Sequence, residues 1–135
     1  MLLRHEQAER LFDRMFADGE SLHAPHLLDV EVAQVVRRYW RAGEITAARG
    51  EAALSDLAVL PIQRYAHEPL LGRIWHLRNN ATAYDAVYVA LAEGLGAVLV
   101  TLDSALGRMP GFRVAVEVFW EVRTQTLRLD AAVHL

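Results

Sequence analysis

The sequence contains no cysteine, which excludes disulfide bonds and zinc sites built on thiolates. Its apolar runs all fall short of the roughly 18 residues that a transmembrane helix needs, and its first residues, among them Arg4, Glu6 and Glu9, are too polar for a signal peptide. The histidines show no ligand spacing such as His-x-x-x-His, and there is no glycine-rich phosphate loop. We therefore expect a cytoplasmic protein without a membrane partner.

What is present is the composition of one globular domain. The chain has 135 residues, of which 53% are hydrophobic and 23% charged, so we expect a single domain over residues 1–135. The formal net charge of −3 argues against a protein that coats nucleic acids. If four carboxylates bind a cation, however, the rest of the chain carries +1, and arginines such as Arg37 and Arg38 could meet a phosphate backbone.

Hydrophobic periodicity predicts helices that alternate with short strands. We predict helices over residues 2–18, from Leu28 to a stop at Gly43, from the N-cap Thr46 to about Leu57, from Pro69 to Leu77, and from the N-cap Thr82 to Gly94 and Gly96. We predict strands over residues 57–62, 97–101 and 112–120, and a strand or connector over 21–25. This alternation indicates an α/β domain with a mainly parallel sheet, whose sites lie at the carboxyl ends of the strands.

Two aspartates stand at positions where such domains place ligands. Asp103 directly follows the apolar strand predicted over residues 97–101, and Asp85 comes three residues after Thr82. Each has an ordinary structural alternative, because Asp103 could cap a helix or turn, and Thr82-Ala-Tyr-Asp85 matches a capping box. The two roles are compatible for Asp85.

A glutamate on the second predicted helix is a further candidate. The apolar stripe of that helix leaves Glu31 on its flank, where a half-buried carboxylate is costly unless it has a partner such as a metal ion, Arg37 or Arg38. Asp29 lies on the opposite flank and is the competing candidate. Several carboxylates at strand and helix ends would suit Mg²⁺, which prefers oxygen ligands and retains water.

Three segments together carry a resemblance to a known family. Ala24-Pro-His-Leu-Leu-Asp-Val-Glu31-Val, Thr82-Ala-Tyr-Asp85-Ala-Val-Tyr-Val-Ala-Leu-Ala-Glu93 and Leu99-Val-Thr101-Leu-Asp103 resemble, in order, the motifs of PIN-domain toxins of the VapC type. The resemblance covers roughly residues 1 to 118. It implies a PIN-like three-layer fold, an endoribonuclease activity, and Mg²⁺ or Mn²⁺ bound by Glu31, Asp85 and Asp103, with Thr82 and Thr101 ordering the site. It also implies a VapB-type antitoxin and a homodimer.

The resemblance departs from the family at the chain ends. Family members begin with a central strand that ends in a first catalytic aspartate, whereas this chain starts within the helix that follows. The carboxyl-terminal segment Leu127-Arg-Leu-Asp130-Ala-Ala-Val-His-Leu135 has the form of that motif. We therefore expect a circular permutation in which residues 126–135 supply the first strand and Asp130 a fourth metal ligand, in the same subunit or by strand exchange with a neighbour. The alternative is an unrelated tail.

These observations favour a metal-dependent ribonuclease toxin that uses Asp130, Glu31, Asp85 and Asp103. Arg37 and Arg38 are then candidates for contact with the RNA backbone or with the antitoxin. A second hypothesis is a catalytically inactive PIN-like module that retains partner binding but lacks a complete site. A third and weaker one is a phosphoacceptor domain that uses Asp103, although no lysine of the switch type follows it.

Overall fold

A computed structural model describes residue 13 and residues 21–101, 106–118 and 130–134. Asp13 is helical and exposed; the rest of the predicted first helix lies outside the described residues, and so does Asp103. The strands are β1 (Ser21–Pro25), β2 (Ile62–Tyr65), β3 (Val98–Thr101), β4 (Val116–Val118) and β5 (Asp130–His134). The helices are α1 (Leu27–Arg41), α2 (Ala47–Val59), α3 (Leu71–His76) and α4 (Ala83–Leu95), with short 3-10 turns at Glu68–Leu70 and Leu106–Arg108.

The strands form one sheet in the order β2-β1-β5-β3-β4, and every neighbouring pair is parallel. The prediction of an α/β domain with a parallel sheet is therefore confirmed. No helix in the described part of the chain has both the length and the apolar character needed to cross a membrane.

The centre of the sheet is strand β5, from the carboxyl-terminal segment. Ser21 is in register with Asp130, and Thr101 is in register with His134. The expectation that this strand ends at Asp130 is wrong, because β5 continues from Asp130 to His134. In this register the apolar residues 131–133 lie between β1 and β3. The residues of these two strands are mostly buried, and the central strand of a parallel sheet is typically apolar. That this segment is the displaced first strand of the family stays a prediction.

Two other strand boundaries differ from those predicted. Helix α2 continues to Val59, so the predicted strand over residues 57–62 is wrong, and Pro61 precedes β2 instead of ending a strand. Proline has no amide hydrogen to donate to a strand ladder, which suits it to this position. The predicted strand over residues 112–120 is reduced to β4 within the described residues.

Helix α4 is the buried centre of the domain. All of its residues from Ala86 to Ala92 are buried, which explains why this helix is apolar on every side. Its amino end is capped by Thr82, and its carboxyl end is closed by Gly96, which adopts a left-handed conformation with φ of 63°. Only this glycine and Ala97 separate α4 from β3, so the helix runs antiparallel to the strand. The first turn of α4 therefore lies at the carboxyl edge of the sheet.

A salt bridge fixes the other end of α4 to its surroundings. Glu93 accepts hydrogen bonds from Nε and Nη2 of Arg73, at 2.7 and 3.0 Å, and from the backbone amide of Arg113 at 2.8 Å. Arg73 also donates to the carbonyl oxygen of Gly111 at 3.0 Å. These contacts join α3, α4 and the segment that leads to β4, and thereby hold α4 in place against the sheet.

Candidate active site

The central contact of the candidate site joins α1 to α4. The hydroxyl of Tyr88 donates a hydrogen bond of 2.5 Å to Oε1 of Glu31. Tyr88 is fully buried, whereas Glu31 is half-buried and so reaches both the core and the surface. Sequence reasoning treated Tyr88 only as a core residue of the helix. The available signal was that Tyr88 is the one hydroxyl-bearing side chain in the apolar stretch 86–92, since a buried tyrosine hydroxyl needs a partner.

The structure distinguishes Glu31 from its competitor on the same helix. Asp29 is paired with Arg64, whose Nε lies 3.0 and 2.8 Å from the two carboxylate oxygens. Arg64 also donates to the carbonyl oxygens of Ile62 and Leu57, so this pair ties α1 to α2 and β2. Asp29 therefore has a structural role. The bond from Tyr88 to Glu31 replaces the expected pairing of that glutamate with Arg37 or Arg38.

Asp85 lies in the first turn of α4, held there by the cap of the helix. The hydroxyl oxygen of Thr82 accepts a hydrogen bond of 3.1 Å from the backbone amide of Asp85. The capping role predicted for Thr82 is therefore confirmed for the threonine side chain. Asp85 is half-buried and lies at the positive end of the helix dipole. One turn of helix separates it from Tyr88, so the two residues share a face of α4.

The surroundings of Tyr88 raise the pKa of its hydroxyl. Burial raises the pKa of its hydroxyl far above the ordinary value, and the hydrogen bond and the charge of Glu31 raise it further. The charges of Asp85 and Asp29 act in the same direction. The hydroxyl is therefore protonated at every physiological pH and is a permanent donor. Among these acids, Glu31 is the one that hydrogen-bonds the hydroxyl.

The remaining predicted site residues divide between the two edges of the sheet. Thr101 is fully buried at the carboxyl end of β3, and the predicted ligand Asp103 follows it outside the described residues. Asp130 begins β5, at the amino edge. The carboxyl end of β5 is His134, about 13 Å further along the strand at roughly 3.3 Å per residue. The backbone of Asp130 therefore lies at the far edge from the first turn of α4.

The two arginines face different surfaces of α1. Arg38 is seven residues after Glu31, which is nearly two full turns, so it lies on the same face of the helix. It lines an open cleft of about 370 Å³ together with Tyr39 and Glu44. Arg37 instead lines a groove of about 240 Å³ between α1 and α2, beside the exposed Trp40. The sequence did not separate these two residues.

The donor set at the carboxyl edge fits a hard divalent cation. Mg²⁺ keeps several waters and is commonly bound through one or two carboxylates, and Glu31 and Asp85 supply two that are half-buried. Within the described residues, no group of three or more acids or histidines is arranged to hold a metal ion. The third carboxylate that the resemblance implies is Asp103, two residues after Thr101 in the sequence and outside the described residues.

Comparisons with known proteins identify the family of this chain. The family profile of the PIN domain matches residues 2–112. The ribonuclease VapC1 of Mycobacterium tuberculosis is 44% identical over 97 residues, which cover 71% of this chain and 73% of that protein. The ribonuclease VapC9 of the same organism is 45% identical over 93 residues, covering 69% and 73%, and its ribonuclease VapC12 is 36% identical over 100 residues, covering 74% and 78%. The chain therefore belongs to the PIN-domain family, in its VapC branch.

Proposed function

We propose that this chain is a divalent-cation-dependent endoribonuclease toxin in which Glu31, Asp85 and Asp103 bind Mg²⁺ or Mn²⁺. The observation that carries the proposal is the hydrogen bond that joins Glu31 on α1 to Tyr88 on α4, the helix whose first turn holds Asp85. The relatives named as VapC ribonucleases support the reaction class. Asp130 is left out of the ligand set because its backbone begins β5 at the other edge of the sheet.

Each residue has a separate task in this proposal. A divalent cation would supply an acidified water and offset the charge that develops on the phosphodiester. Glu31 and Asp85 hold the cation through oxygen atoms, and Thr82 keeps Asp85 in the first turn of α4. Thr101 carries a buried hydroxyl at the end of β3, two residues before Asp103 in the sequence. The half-burial of both acids excludes part of the solvent, which strengthens their attraction for a cation.

The face of α1 beyond Glu31 is suited to the phosphate backbone of RNA. Arg38 is exposed and lines the cleft that continues this face. Contacts of arginine with phosphate neutralise charge and release counterions, so they make binding sensitive to salt. We assign Arg38 to RNA contact and expect its loss to weaken binding for all sequences alike.

The groove between α1 and α2 is assigned to a protein partner. Its lining is largely apolar, and it includes Arg37 and the half-exposed ring of Trp40. A VapB-type antitoxin is the partner that the family implies, and an acidic segment would suit the arginine. The surface around Trp75, whose side chain is 69% exposed, is assigned to contact with a second copy of the chain.

The proposal is tested by cleavage of total RNA by the purified chain, with Mg²⁺ or Mn²⁺ and with EDTA. Glu31→Gln and Asp85→Asn should each lower the cleavage rate by at least ~100-fold, since the loss of a direct ligand exceeds the 10- to 100-fold cost of losing a supporting group. Asp29→Asn is the matched control, because it removes a carboxylate from the same helix that is paired with Arg64 and not with Tyr88. It should keep the wild-type cleavage rate.

Two results would overturn the proposal. Cleavage that persists in EDTA would refute the dependence on a cation. Full activity of both Glu31→Gln and Asp85→Asn would refute the assignment of these residues to the site. A wild-type chain that binds an antitoxin peptide without metal and cleaves no RNA would instead be a binding module.

A further inference from the structure

The hydroxyl of Tyr88 is not needed for packing of the hydrophobic core. Its ring is fully buried, and a phenylalanine would fill the same space. Burying this hydroxyl costs free energy, since a buried polar group destabilises the fold unless it is hydrogen-bonded. It meets this need by donating to Glu31 on another helix, 57 residues away in sequence. The arrangement therefore joins a rigid core side chain to a candidate metal ligand.

The rigid tyrosine restricts the conformations of the glutamate. The ring of Tyr88 has two rotatable bonds and is enclosed by packed side chains on α4 and the sheet, whereas the half-buried Glu31 has three rotatable bonds. Among the described residues, Tyr88 is the group that hydrogen-bonds the Glu31 carboxylate. The bond occupies Oε1 alone, and a carboxylate can accept about four hydrogen bonds or ligands in total. Oε2 is left available for a cation.

We propose that Tyr88 is a positioning residue of the metal site, whose hydroxyl fixes the carboxylate of Glu31 for cation binding. This inference rests on the proposed function, because it assumes that Glu31 is a ligand. Groups that orient metal ligands in this way are commonly worth 10- to 100-fold in metal affinity or activity. The competing explanation is that the bond only stabilises the contact between α1 and α4.

The experiment is calorimetric titration of Mn²⁺ into the purified chain and into Tyr88→Phe, with the melting temperature of each measured in EDTA. Tyr65→Phe is the matched control, because it also removes a hydroxyl that is hydrogen-bonded inside the fold, at 2.7 Å from Nδ1 of His23. Tyr84→Phe is the surface control, since that side chain is 67% exposed. We expect Tyr88→Phe to bind Mn²⁺ about 10- to 100-fold more weakly. Both controls should bind it as the wild type does.

The double variant tests whether Tyr88 acts through Glu31. In the Glu31→Gln background, the additional change Tyr88→Phe should not alter Mn²⁺ affinity further. RNA cleavage adds a second readout: Tyr88→Phe should need more metal for half-maximal rate and should regain most of its rate when the metal is saturating. A purely structural role would lower the melting temperature without moving the metal dependence.

The inference is overturned if Tyr88→Phe binds Mn²⁺ within a factor of two of the wild type, or if Tyr65→Phe weakens binding as much. If Glu31→Gln and Asp85→Asn also leave Mn²⁺ affinity unchanged, the proposed function fails with it; if they abolish binding, only the role of Tyr88 fails. Should Tyr88→Phe not fold, fluorine NMR of the fluorotyrosine-labelled wild type decides. Its Tyr88 resonance must shift on addition of Mg²⁺, and an unchanged resonance refutes the inference.

Discussion

Removal of one carboxylate, in Glu93→Gln, should destabilise the whole domain although it lies outside the candidate site. Glu93 is 11% exposed and Arg73 is 22% exposed, so their salt bridge is largely shielded from solvent. Breaking a fully buried pair costs about 3–5 kcal/mol, and an exposed pair is worth at most about 1 kcal/mol. Glutamine keeps the shape and one acceptor oxygen but loses the charge. We therefore expect a loss of about 2 kcal/mol, which lies between these limits.

The same pair gives the stability of the domain a defined pH dependence. Burial alone would raise the pKa of Glu93, but the hydrogen bonds from Arg73 and from the Arg113 amide outweigh it and hold the pKa below its ordinary value. A carboxylate with a lowered pKa stabilises the fold above its unfolded pKa of about 4.3. That contribution is lost as the pH falls through the lower, folded value. The penalty of Glu93→Gln should therefore be complete at pH 7 and shrink below about pH 4.

Thermal unfolding in EDTA at several pH values measures this effect. At about 4 °C for each kcal/mol in a chain of this length, Glu93→Gln should melt about 8 °C below the wild type at pH 7. Glu51→Gln on the exposed side of α2 is the charge-matched control and should leave the melting temperature unchanged. A Glu93→Gln penalty that is equally large at pH 7 and at the acid end would refute the assignment of this stability to the ionised carboxylate.

Three other substitutions have defined expected outcomes. Thr82→Ala removes the cap of α4 and should lower the stability measured by thermal melting by about 1 kcal/mol. Because Asp85 lies in the capped turn, the variant should also cleave RNA more slowly. An unchanged cleavage rate would show that the cap does not support the site. Gly50→Leu should destabilise by about 1–3 kcal/mol in denaturant unfolding, because even a Cβ there would lie 3.1 Å from Cγ1 of Val36; a neutral result would show that the two helices can separate. Asp130→Asn should cleave RNA at the wild-type rate, since its backbone begins β5, and a loss of more than ~100-fold would restore it to the ligand set.

Local patterns in the sequence were sufficient for most of the architecture. Thr46 and Thr82 cap the helices that follow them, and Gly96 closes α4, because these residue types act on the backbone next to them. The strand boundaries were less predictable. Before Pro61, helix α2 continues to Val59 through a short apolar run that fits a strand or a helix equally well. The register of β5 depends on its two neighbours, which no local pattern encodes.

The candidate site shows the same division. Position on a helix end made Asp85 a candidate, and periodicity reduced the candidates on α1 to Asp29 and Glu31. The family resemblance selected Glu31, and the fold supplies a physical reason for the difference, because Asp29 meets Arg64 and Glu31 meets Tyr88. A partner 57 residues away in sequence cannot be read from the spacing of residues along one helix.

The most direct test of the central claim is a crystal structure of the chain soaked with Mn²⁺, with the ion located by its anomalous scattering. The account predicts a peak at the carboxyl edge of the sheet, about 2.1 Å from carboxylate oxygens of both Glu31 and Asp85, which is the distance of Mg²⁺-type coordination. A peak that contacts neither residue, or one that appears at Asp130 alone, would contradict it.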